Sequence, residues 1–232
     1  MAHWLTPAEW AAVSLSLQVS LWATMISLPF GIAVAWALAR KSFPGREMLN
    51  ALVHLPLILP PVVTGYLLLL AFGRHGPAGR LLEQVFGLIL AFRWTGAVLA
   101  AAIMAFPLMV RAIRLGFESV DPRLEQAAAT LGAAPAMVFL TVTLPLILPG
   151  LIAGSILAFA KAIGEFGATI TFVANIPGQT QTLPTAIYAL LQVPGQDPAA
   201  FRLVLIAIAI ACAALLASEL LARAVQRRIA GR

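Results

Sequence analysis

Charge and cysteine are what this sequence has least of. Only 10% of its 232 residues are charged, and its single cysteine, Cys212, lies inside an apolar stretch. One thiol excludes an intramolecular disulfide framework, and no group of Cys, His, Asp or Glu has metal-site spacing, so Cys212 reads as ordinary packing. The chain has neither a GxxxxGKS/T phosphate loop nor a GxSxG nucleophile elbow, so it reads as a non-enzyme with no ATP site and no catalytic residue of its own. No basic segment precedes the first apolar run, so the N-terminus does not read as a cleavable leader. What is present is apolar: 61% of the residues are hydrophobic and mean hydropathy is +0.96, more than a soluble core of this length needs. A net charge of +6 would suggest nucleic acid as a partner of a soluble protein, but the basic residues sit at the ends of the apolar runs. They read as topology signals in a bilayer, with no nucleic-acid partner.

Crossing a membrane as a helix takes roughly 20 apolar residues. Five spans are predicted, at about 9–39, 50–72, 94–115, 146–172 and 202–222, within a single transmembrane domain over 1–232. The first starts at Thr6-Pro7-Ala8-Glu9 between Trp4 and Trp10, and its length, with Pro29 and Gly31 inside, implies tilt or a kink. In the second, Pro56, Pro60 and Pro61 each remove a backbone donor, which predicts a kinked helix beside either a translocation path or a close-packed neighbour. His54 reads as an interfacial or hydrogen-bonded side chain, and the amphipathic stretch at 81–90 is too short to span. Alternate loops divide the cations unequally: Arg40, Lys41, Arg46, Arg111, Arg114, Arg123, Arg223, Arg227, Arg228 and Arg232 against Arg74, Arg80, Arg93 and Arg202. The positive-inside rule then puts the N-terminus outside and the C-terminus in the cytoplasm.

That orientation makes 121–145 cytoplasmic, a polar segment between two intensely apolar ones. Asp121 and Pro122 suit a helix start, Gly132 a left-handed stop, and Pro135 the start of a second short helix running to about Val142 and ended by Pro145. The run resembles the EAA loop of bacterial ABC-importer permeases: Glu-Ala-Ala, three residues, Gly, nine residues, an aliphatic residue, any residue, Leu-Pro. Ala127, Ala128, Gly132, Val142, Leu144 and Pro145 fall in register, whereas Gln126 holds the Glu position and Glu125 precedes it. The resemblance implies an ATPase-coupling loop comprising Glu125, Gln126, Ala127, Ala128, Gly132, Leu144 and Pro145.

In the fourth predicted span Gly150, Gly154, Ala158 and Ala162 recur every four residues, a small-residue stripe that admits a close helix. Intrachain packing and a place beside a two-fold axis both satisfy it. Lys161 and Glu165 are four apart on one helix face, and Lys161 falls about 18 Å beyond Pro149 at 1.5 Å per residue. A charge near mid-bilayer costs on the order of 3 kcal/mol. A structural pair and a charge biasing a path toward anions both remain open. Together with Gly150, Gly154 and Gly167 they are the pathway or dimer-interface candidates.

Gly164-Glu165-Phe166-Gly167-Ala168, Asn175-Ile176-Pro177-Gly178 and Thr180-Gln181-Thr182-Leu183-Pro184 resemble the corresponding segments of molybdate ABC-transporter permeases. Sulfate permeases share the first of these; the other two favour molybdate. The resemblance implies an all-α polytopic protein of the bacterial cytoplasmic membrane with the type I ABC-importer permease fold. It also implies a homodimer, two ABC ATPase subunits carrying ATP and Mg, an extracytoplasmic molybdate-binding protein, and no cofactor or metal on this chain. Sulfate, thiosulfate or tungstate are the alternative cargoes. A secondary anion transporter would show matched inverted repeats, and only one Pro-rich span is evident. A membrane enzyme would gather His, Asp or Glu near an interface, whereas here acidic residues concentrate in 121–145. The loop 175–198, with a short helix predicted at 185–192, reads as either a solvated connector or a contact surface for the binding protein.

Overall fold

The structure, a computed structural model, describes residues 4–229, with side chains described to residue 221. Of the basic C-terminal set, Arg232 lies outside the described residues, and Arg223, Arg227 and Arg228 lie beyond the described side chains. All regular structure among the described residues is helical.

Helix α1 (Pro7–Arg40) opens on a capping box. The Thr6 hydroxyl accepts from the Glu9 amide at 3.2 Å and the Glu9 carboxylate accepts from the Thr6 amide at 2.6 Å, satisfying donors that a helix start otherwise orphans. Next come α2 (Arg46–Ile58) and α3 (Pro61–Phe72), whose axes differ by 114°. The kinked second span expected at 50–72 is therefore broken. Pro60 cannot donate to α2, and Pro61 fits the first position of a new helix, so two consecutive prolines separate the segments completely. The amphipathic α4 (Pro77–Phe86) ends at Gly87 with φ 66°, and α5 (Trp94–Glu118) follows.

Beyond α5 lie α6 (Pro122–Thr130) and α7 (Pro135–Val138), then a π-helical turn (Phe139–Thr143) that runs directly into α8 (Leu144–Ile163). Pro145 thus occupies the first turn of α8 and does not end the preceding helix, because a proline early in a helix forfeits no bond. The span expected at 146–172 also divides: α8 stops at Ile163 and α9 (Gly167–Val173) restarts after Gly164, Glu165 and Phe166. Helix α10 (Leu183–Leu191) and α11 (Asp197–Ile229) complete the chain.

Two long-range polar contacts fix the topology. Arg40, at the end of α1, donates to the Val120 carbonyl just past α5 at 3.1 Å, so both helices end on the same side. Between them the α2–α3 pair must carry the chain back across, which makes it the fifth crossing beside the four long apolar helices Pro7–Arg40, Trp94–Glu118, Pro135–Ile163 and Asp197–Leu221. On the opposite side Arg202 of α11 pairs with Glu9 of α1 at 2.7 Å, so α11 runs parallel to α1.

Helix α5 is the hub: 61% of its apolar window is buried, against 17% for α8 and for α11. Met109, Val110, Ile113 and Phe117 are fully enclosed between α1 and α8. The small-residue stripe of α8 serves this contact. A Cβ at Gly150 would stand 3.1 Å from the Cα of Gly116, and one at Gly154 3.0 Å from the Ile113 side chain. Gly150 and Gly154 therefore face their own α5, and the close approach they permit is intrachain.

Candidate functional site

The first candidate region is the tip formed by α6, α7 and the π turn. Asp121 caps α6 by accepting from the Arg123 amide at 2.9 Å, and Gly132 at φ 86° takes the left-handed conformation that turns the chain toward α7. No residue of α6 is buried. Its polar anchor is Glu125, which accepts from the Thr143 hydroxyl at 2.8 Å and pairs with Arg40 at 3.4 Å. One carboxylate thereby joins α6 to the π turn and to the end of α1. Gln126 is exposed, as is Ala127, while Ala128 and Leu144 are half-buried and Pro145 is exposed. Glu125 is thus turned inward, and Gln126, which holds the Glu position of the pattern, outward.

Around these groups the tip presents Leu131, 88% exposed, with Leu124, Met137 and Leu140 also exposed. Of these, Leu124 and Leu131 lie on the polar loop ahead of the apolar helix Pro135–Ile163, where exposed apolar side chains mark a candidate contact surface. Behind it a cavity of about 580 Å³ lies between α1 and the tip, lined by Pro29, Trp36, Glu125, Phe139 and Thr143. Thr143 and Arg40 escaped notice as site residues in the sequence. Thr143 is a buried hydroxyl in an apolar run, which is a signal of a polar partner, but the partner lies 18 residues away.

The second region is where the two broken spans meet. Lys161 Nζ lies 2.8 Å from Glu165 Oε2, and Glu165 Oε1 accepts from the Ala168 amide at 3.0 Å. The spacing predicts one shared helix face, and the structure corrects this: Lys161 lies in the last turn of α8, whereas Glu165 sits in the break after it, where its carboxylate satisfies a free donor at the start of α9. The Glu165 side chain is 2% exposed and that of Lys161 is 31% exposed, so the carboxylate is enclosed and the ammonium partly accessible.

Helix α9 then lies against α3 with almost no clearance. A Cβ at Gly65 would stand 2.6 Å from the Ala168 carbonyl oxygen, and one at Gly167 would stand 2.6 Å from the Pro61 ring. The structure brings Gly167, Glu165 and Lys161 together with the Pro60–Pro61 break, and leaves Gly150 and Gly154 on the α5 contact. Phe166 in the break packs against Tyr188 of α10, with ring centroids 5.2 Å apart and the rings tilted by 49°. The segment 175–185 is tied inward: Thr180 accepts from the Ile176 amide at 3.0 Å, and the Leu183 amide donates to Ser16 at 2.6 Å. Thr180, Thr182 and Thr185 are buried. The surface left exposed there is 177–179, Tyr188 and 191–198.

A family model described as "binding-protein-dependent transport system inner membrane component" matches residues 27–231. The molybdenum transport system permease protein ModB of Escherichia coli is 60% identical over 228 residues, which cover 98% of this chain and 99% of that protein. Its namesake in Haemophilus influenzae is 54% identical over 221 residues, covering 95% and 96%. In three dimensions, a chain from the crystal structure of a bacterial ABC transporter involved in the import of the acidic polysaccharide alginate superposes with a TM-score of 0.73. That superposition covers 94% of this chain and 80% of the other at 17% identity, a likeness of fold.

Proposed function

The chain belongs to the family of binding-protein-dependent transport system inner membrane components, and we propose that it is the membrane subunit of an ATP-driven importer that carries molybdate into the cytoplasm. It is a multi-pass inner-membrane protein with the type I ABC-importer permease fold. In the assembly proposed here, two copies form the pathway, two ATPase subunits hold ATP and Mg, and a molybdate-binding protein delivers cargo from outside. The chain itself holds no cofactor.

The observation that carries this reading is the exposed tip anchored through Glu125. ATP-driven closure of the ATPase pair displaces the two tips, and a displacement at α6 passes to two spans at once. Glu125 is hydrogen-bonded to the π turn that begins α8 and paired with the end of α1. Because α8 breaks at Gly164, its motion reaches α9 and α3 through the Lys161–Glu165 contact and the Gly65–Ala168 crossing. The partly accessible Lys161 ammonium supplies an attraction for a divalent oxyanion, which Glu165 keeps weak enough for release.

Cellular molybdenum, measured by elemental mass spectrometry with and without the gene at nanomolar external molybdate, tests the cargo. A loss of molybdenum that excess sulfate barely alters is expected. Unchanged molybdenum with impaired sulfur supply would overturn the molybdate assignment in favour of sulfate.

A further inference from the structure

On the cytoplasmic side of the molecule, apart from both regions above, α2 and α5 frame an open surface pocket of about 260 Å³ lined by Asn50, His54, Arg111, Arg114, Leu115 and Glu118. Arg111 lies seven residues before the end of α5, about 10 Å inward, and His54 lies eight residues into α2, at a similar depth of about 12 Å. Arg114 is engaged: it pairs with Glu118 at 2.7 Å and donates to the Asn50 side-chain oxygen at 3.4 Å. One ring nitrogen of His54 contacts the Asn50 carbonyl at 2.8 Å, leaving the other ring nitrogen for the pocket. Arg111 has no hydrogen bond or ion pair among the described residues.

Arg111 is exposed and has no carboxylate of its own among the described residues, so its guanidinium offers charge-assisted contacts that a bound anion can take. The single carboxylate present, Glu118, is already held by Arg114. The volume corresponds to about nine waters at ~30 Å³ each, room for one tetrahedral oxyanion and part of its hydration shell. Leu115, the apolar member of the lining, is itself exposed, so the pocket is open at the surface of the helix pair.

We propose that this pocket binds a tetrahedral oxyanion through the Arg111 guanidinium, with Arg114, Asn50 and His54 as its polar wall. The oxyanion has two possible sources, the phosphate of an anionic lipid and a free oxyanion on the cytoplasmic side. Only the second rests on the transport reading above.

The test uses the complete transporter, with its ATPase, in nanodiscs of two compositions. In phosphatidylglycerol discs, native mass spectrometry counts retained lipid; in pure phosphatidylcholine discs, equilibrium dialysis measures radiolabelled molybdate bound to the nucleotide-free complex. Arg111→Gln is expected to lower occupancy about tenfold in the arm that reports the true source, and Arg111→Lys to retain most of it, because one charge-assisted contact is lost in the first and kept in the second. Asn50→Asp, which supplies the pocket with its own carboxylate, is expected to expel the ligand as well, so a folding defect in one variant does not decide the outcome. Loss of lipid alone assigns the site to a headgroup, and loss of molybdate alone assigns it to cargo leaving the pathway. Identical occupancy of wild type, Arg111→Gln and Asn50→Asp in both arms overturns the proposal. Failure of the transport reading shows differently, as an unmodified transporter that takes up no molybdate whatever Arg111 is.

Discussion

The cytoplasmic tip and the junction of the broken spans are built on opposite terms. At the tip, α6 buries nothing and Leu131 is almost fully solvent-exposed. At the junction, Glu165 is enclosed with both carboxylate oxygens engaged, and a single added carbon at Gly65 or Gly167 would collide with its neighbour. A surface that waits for another subunit leaves its groups unsatisfied by its own chain. A surface that transmits motion inside one chain must be filled and paired. Substitutions at the junction should therefore cost stability, whereas those on the outward face of the tip should cost assembly.

The sharpest test of that contrast is Glu165→Ala, which leaves Lys161 without its partner and the first turn of α9 without its acceptor. Breaking a buried ion pair by removing one member costs about 3–5 kcal/mol. With the Lys161 side chain 31% exposed, the lower end of that range applies. Reduced thermal stability of the purified protein and loss of uptake together are the expected result; Glu165→Gln, which can still accept from Ala168, should lose less. An unchanged melting temperature for Glu165→Ala would place the pair outside the structural core of the junction.

Leu131→Asp should behave in the opposite way. The side chain touches little of its own chain, so stability stays within about 0.5 kcal/mol. Placing a charge on an apolar docking surface should lower co-purification of the ATPase about tenfold or more. A stability loss comparable to that of Glu165→Ala would remove the distinction between the two regions.

The same contrast accounts for what the sequence revealed. The local structure of the tip was legible because its signals act over a single stretch: Asp121 caps α6 and Gly132 turns the chain at φ 86°, and their spacing survives without knowledge of the fold. The five apolar crossings and their direction followed from run length and the placement of Arg and Lys. The junction was not legible. Gly164 and Glu165 lie in a run apolar enough to pass as one helix, and what divides it is the fit of Gly167 against Pro61, more than 100 residues away. The stripe at Gly150 and Gly154 correctly signalled a close helix, but periodicity carries no information about whose helix it is. The π turn at 139–143 has no composition of its own, and only the bond from Thr143 to Glu125 shows why an extra residue is accommodated there.

The smallest expected effect lies within the tip itself, at two adjacent residues. Glu125 faces inward to Arg40 and Thr143, and Gln126 faces outward, so they belong to different sides of the comparison. Glu125→Ala removes a partly exposed ion pair and one hydrogen bond, a loss of about 1 kcal/mol. That small change loosens the connection from α6 to α1 and α8. ATP hydrolysis by the assembled transporter should persist while uptake per ATP falls several-fold, and Thr143→Val should reproduce part of the defect. Gln126→Ala should leave that ratio intact and weaken ATPase binding instead. Uptake and hydrolysis measured together on reconstituted transporter separate the two. Equal losses of coupling from both variants would mean that the carboxylate one position early does not substitute for the family's Glu, and that the outward face carries the stroke.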